Sequence, residues 1–204
     1  MNKILKWTLI ISGVGVLTYV GIFIYGLLSF GGIFEKKYTK QDLIENYTKK
    51  GTEINELKNY VKSIVPSDKQ VEIEFDGDKT LEIFHVTICN KWDQNWNIEI
   101  SSQKTDTLLQ KLGWTRKTLS TLKDKLDNAN CISVESGEPC TIGFKRSGMG
   151  KYSYKVFDQN LTDSLKYDYN DGCNYIFYKD NIVLEYGGGA IGRQCFEDNK
   201  GGRH

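Results

Sequence analysis

Histidine, proline and net charge are scarce in this chain, and each scarcity excludes something. There are 2 histidines, His85 and the terminal His204, so a His-paired nucleophile or a multi-histidine metal centre has almost no material. Lys and Arg total 27 against 26 Asp and Glu, a balance without the basic excess of a dedicated nucleic-acid binder. The 2 prolines are Pro66 and Pro139, and no Ser- or Pro-rich tract marks an internal linker. No cysteine stands near residue 30, which rules out lipidation at a cleavage site there. A length of 204 residues holds one ordinary domain and little more, so several catalytic modules are excluded. There is no internal repeat.

What the chain does have is an apolar run. From Trp7 to Phe34 there are 28 consecutive residues without a charge, more than the roughly 20 that span a bilayer as a helix. A continuous transmembrane helix is expected over Leu9 to Leu28 despite Gly13, Gly15, Gly21 and Gly26, because only a helix satisfies its own backbone in hydrocarbon. The run is too long for the roughly 7 to 15 residues of a cleaved secretory core. Lys3 and Lys6 before it are balanced by Lys36, Lys37 and Lys40 after it, so charge does not orient it. A short leading tail ahead of one long apolar helix reads as an uncleaved signal anchor. That reading predicts a single-pass membrane protein, held in the lipid bilayer by residues 7–30, with an extracytoplasmic C-terminal domain.

Cys89, Cys131, Cys140, Cys173 and Cys195 all follow this segment. Cys131 and Cys140 flank the turn-like Ser136, Gly137, Glu138 and Pro139, and a bridge between them across a hairpin is one expectation; two buried thiols are the other. Cys173 and Cys195 are expected to lie one strand too far apart, near ~10 Å, to be joined.

The expected fold class is α+β: a single N-terminal transmembrane helix (residues 1–34 with the helix at about 7–30), an amphipathic helical stalk (35–66), then one domain (67–204) with a mostly antiparallel sheet and two short helices. Thr39 and Asp42 form a capping-box pattern, and Leu43, Tyr47, Ile54, Leu57, Val61 and Ile64 mark one helical face ending before Pro66. That face predicts packing on the helix's own domain, with a stalk-mediated homodimer as the other use. Val71, Ile73 and Phe75 alternate, Asp76, Gly77 and Asp78 supply a turn, and Leu81 to Cys89 resumes as a second strand. A third strand is expected at 96–100, two helices meeting at Gly113, and further strands at 131–135, 140–145, 151–157, 173–178 and 182–186.

Several motifs tempt a functional reading. Gly187 to Gly192 fits the dinucleotide pattern, but too few residues follow for its helix and strand, so a tight turn is expected. Ser147 to Lys151 fails the phosphate-loop pattern twice, and Asp168 to Gly172 lacks the spacing of a calcium loop. Glu72 with Glu74 and Asp76 with Asp78 pair carboxylates without any sign of a cleft. His85 lies in an apolar run, as a structural histidine would. Trp92 and Trp96 stand in a polar stretch and are the partner-binding aromatics to test, for a sugar or a protein. Residues 105–146 look like a helix-turn-helix, with Arg116, Lys117 and Thr118 on its second helix and the 131–146 hairpin as a wing, which would imply DNA binding.

The functional expectation is therefore a membrane-anchored protein whose exported α+β domain is a binding or structural module of the cell envelope, its partner an envelope protein or a glycan. The alternatives are a membrane-tethered, winged-helix-like DNA-binding regulator with a cytoplasmic domain, and an envelope hydrolase using carboxylates that local sequence does not locate. No catalytic, cofactor-binding or metal residue is assigned, no cofactor is expected, and nucleic acid is not the favoured partner.

Overall fold

The computed structural model describes residues 3–30, 36–187 and 194–196, with side chains of the first stretch described from residue 13 to 26. That stretch is helix α1 (Lys3–Phe30). Among the described residues no helix is long and apolar enough to cross a membrane. Gly13, Gly15, Gly21 and Gly26 dilute the hydropathy of α1. The expected transmembrane anchor is therefore corrected, and with it the single-pass, signal-anchor placement of an extracytoplasmic domain.

Helix α2 (Lys40–Ile64) starts where the capping pattern puts it: the Asp42 amide donates to Thr39 Oγ1 at 3.2 Å and the Thr39 amide to Asp42 Oδ2 at 2.7 Å. It ends ahead of Pro66, with Val65 as its C-cap. Leu43, Ile54, Leu57 and Val61 are buried, each worth about 2 kcal/mol of hydrophobic burial, and they belong to the same core as the sheet. The apolar face of α2 is thus spent on its own domain.

After α2 the chain alternates between strands and helices: β1 (Lys69–Asp76), β2 (Thr80–Ile88), β3 (Lys91–Asp93), β4 (Trp96–Glu99), α3 (Gln103–Leu112), α4 (Arg116–Asn128), β5 (Ser133–Glu135), β6 (Cys140–Ser147), β7 (Gly150–Val156), α5 (Asp163–Asp168), β8 (Tyr175–Lys179) and β9 (Ile182–Gly187). The strands form one sheet in the order β3-β2-β1-β5-β6-β7-β9-β8, with β4 also on β2, and every pairing is antiparallel. The α+β architecture with an antiparallel sheet is as expected. Two elements had no counterpart in the sequence pattern: β3, of 3 residues, and α5, the shortest helix at 6.

Gly113 closes α3 at φ 73°, a left-handed conformation that costs glycine nothing, and lets α4 turn away. The Trp114 indole beside it donates to Ile64 O at 2.8 Å, tying this corner to the end of α2. Helices α2 and α4 pack on each other, and their buried leucines meet Val71, Ile73, Ile142 and Tyr154 from the sheet. Within this layer Tyr154 donates to Leu43 O at 2.9 Å and accepts from Asn46 at 3.2 Å. Burial first, and then the neighbouring Cys131, push the Tyr154 phenol well above its ordinary range.

The cysteines correct the expectation. Cys131 and Cys140 are free buried thiols. In the β5–β6 register Ser133 faces Gly143 and Glu135 faces Thr141, so the two cysteines lie at opposite ends of the hairpin. Burial pushes each thiol up to about 12. Cys173 and Cys195 form the disulfide, with Cα atoms 4.2 Å apart. The two cysteines are not a strand apart because β8 begins only at Tyr175 and the last segment crosses the end of the β8–β9 hairpin: the Phe196 amide donates to Cys173 O at 3.1 Å. Phe196 is thereby buried against Tyr152 and Tyr186. The glycine turn expected at 187–192 falls, beyond Gly187, outside the described residues, as does His204.

At the outer edge, two amides of β8 are capped by side chains. Its outward amides, on Tyr175 and Phe177, donate to Asp171 Oδ1 at 2.9 Å and Asn170 Oδ1 at 3.3 Å.

Candidate functional site

Helices α2, α3 and α4 cover one face of the sheet; the other carries its charge, with a small apolar cluster of Phe157, Leu161 and Val183 at its β9 end. Paired residues on antiparallel strands share a face, so the register lines up His85, Glu72, Glu135, Thr141 and Lys155 in one row across β2, β1, β5, β6 and β7. The next row runs Ile83, Glu74, Ser133, Gly143, Ser153 and Glu185. Carboxylates from β1, β5 and β9 therefore meet on one surface, although no short stretch of sequence contains them together.

Most of these charges are matched. Glu74 is 2% exposed and takes a two-pronged hydrogen bond from Arg146, with Nη2 to Oε2 at 3.0 Å. Burial alone would lower the Arg146 guanidinium, but the Glu74 carboxylate more than offsets it and holds the group charged. Lys151 reaches Glu74 at 3.3 Å and Glu72 at 3.4 Å, and Lys155 reaches Glu185 at 3.2 Å. Gly143 makes room for this arrangement: a Cβ there would stand 1.9 Å from Ser133 Oγ and 3.1 Å from Lys151 Cδ. Glu135 is different. It is exposed, yet desolvation by the packed strands around it, and then Glu72 opposite, push its carboxyl above the ordinary range.

The free edge of this face carries the two tryptophans. Trp96 pairs with Ile83 and Trp92 with Thr87, which places both on the charged face; they are 54% and 66% exposed. Trp96 is not loose. Its ring meets the His85 ring edge-on, with centroids 4.8 Å apart. His85 Nδ1 lies 3.3 Å from Glu72 Oε2, while its buried Nε2 has no hydrogen-bond partner among the described residues. Asp93, in register with Val86, faces the helical side instead, where it accepts from Lys111 at 2.5 Å and from Asn95 at 3.0 Å, which hold its carboxyl below the usual range.

The other sequence motifs are placed elsewhere. Asp171 Oδ1 accepts three backbone amides, from Cys173, Asn174 and Tyr175, so the calcium-like loop is a backbone turn. Among the described residues no group of His, Cys, Asp and Glu could hold a metal ion. Arg116 is bound to Asp106 and to the carbonyls of Ile100 and Ser102, while Leu119, Leu122 and Leu126 of its helix face the core. The supposed wing, β5 and β6, is internal to the sheet, with β1 on one side and β7 on the other. What sequence reasoning missed was the assembly of Glu72, Glu135 and Glu185, since it depends on a strand order that local patterns do not carry.

Compared with protein-family models, curated proteins and solved structures, the chain matches none.

Proposed function

We propose that the α+β domain is a binding module that engages carbohydrate through Trp92 and Trp96. The observation that carries this is the pair of exposed indoles on one face of a sheet edge, one of them braced by His85. An exposed, oriented indole offers a flat apolar surface on which a sugar ring stacks, and its polar end lies among groups that bond hydroxyls. On this face Glu72, in contact with His85 beside Trp96, is such a group. A protein interface of standard size needs a broader apolar centre than two rings among charges. The carboxylates favour binding over hydrolysis: Glu74 has both oxygens held by Arg146 and Lys151, and Glu72 is held by Lys151 and His85.

The test is calorimetric titration of the full chain with neutral, amino-sugar and acidic oligosaccharides. Binding that disappears in W92A/W96A, with the melting temperature unchanged, is the expected result. A panel that gives no heat, or a double variant that binds like the parent, sinks the reading.

A further inference from the structure

A cleft of about 400 Å³ opens at the far end of the helical layer, between the last turns of α2 and the β5–β6 turn. It is built from two kinds of surface. Val61, Val65, Pro66 and Cys140 give it an apolar floor, and Lys58, Lys62 and Lys69 outnumber Glu138 and Asp158 around it by one charge. Lys58 is only 7% exposed, which is unusual for a lysine and requires partners. Its ammonium donates to Phe157 O at 2.7 Å and to Asp158 Oδ1 at 2.7 Å. An ammonium has three donors, so one N–H of this buried group remains for a further acceptor. Asp158 also takes Lys62 at 2.5 Å, and its backbone amide is held by Glu138 at 2.9 Å, so the anionic side of the lining is fixed in place.

We infer that this cleft binds a small free monocarboxylate with a short apolar tail. One negative charge brings the lining to neutrality, whereas a phosphate dianion overshoots it. The carboxylate accepts the remaining Lys58 N–H with Lys62 at the mouth, and the tail lies on Val61, Val65 and Pro66. This site is separate from the tryptophan edge and does not depend on what binds there.

The experiment is an amide chemical-shift titration of the full chain with butyrate, acetate, butylammonium and inorganic phosphate. Butyrate should saturate, shift Val61, Val65 and Ser136, and bind about tenfold more tightly than acetate because two further methylenes are buried. K62A, at an exposed position, should weaken butyrate by about threefold, and V65W should abolish binding by filling the cleft. The inference is overturned by an absence of saturable shifts, by butylammonium or phosphate binding as well as butyrate, or by K62A matching the parent. A peptide ending in valine that binds more tightly than butyrate overturns the assignment to a free acid.

Discussion

Glu72 and Glu135 stand directly opposite each other on adjacent antiparallel strands. Like charges in that position repel, and the lysines nearby leave Glu135 only partly compensated: its carboxyl is raised by desolvation and by Glu72. A carboxyl whose folded value lies above its unfolded one binds more protons in the native state, so stability falls as pH rises through that window. The cost is present in full above the folded value and is relieved as pH falls toward the ordinary value. Glu135→Gln should therefore melt above the parent at pH 7, with the gap closing near pH 4. Melting curves across that range check it; a gap of constant size contradicts the assignment.

The Glu74–Arg146 pair should show strong coupling. Arg146→Met leaves a buried carboxylate with Lys151 alone, and breaking a buried pair from one side costs about 3–5 kcal/mol. Glu74→Leu with Arg146→Met removes both charges and should recover most of that loss. Urea unfolding of the two variants decides it, and equal losses would mean that the pair is not coupled.

Gly143→Ala places a methyl group against Ser133 Oγ and the Lys151 stem. Overpacking of this kind costs about 1–3 kcal/mol. Adding Ser133→Gly should return part of it. A Gly143→Ala protein as stable as the parent would show that Ser133 turns aside without cost.

The Cys173–Cys195 disulfide closes a segment with a sequence separation of 22. Loop-closure entropy at that length corresponds to about 3 kcal/mol, so a reductant or Cys173→Ser with Cys195→Ser should lower the melting temperature. Phe196 should lose its burial with the bond, which quenching or hydrogen exchange at Tyr152 and Tyr186 reports. Reduction that leaves stability unchanged would place the anchoring in Phe196 alone.

How much was legible in the sequence depended on range. Thr39, the three-four spacing from Leu43 to Val61, and Gly113 are local signals, and α2, α3 and α4 appear where they point. Alternation at Val71, Ile73 and Phe75 gave β1 for the same reason. The three polar-flanked residues of β3 and the six of α5 are too short for any period to show. The disulfide was misread because its geometry depends on where a segment crosses a hairpin end. The exposure of Trp92 and Trp96 followed from their polar surroundings, but the row of His85, Glu72 and Glu135 beside them required the strand order.

The side-chain oxygens of Asn170 and Asp171 stand where the carbonyls of another chain would otherwise accept from β8. A second molecule approaching that margin finds its hydrogen-bond donors already used, so the sheet has a built-in stop on that side. A strand added at β8 would find those two amides already bonded, which disfavours the ordered aggregation that an unguarded border would template.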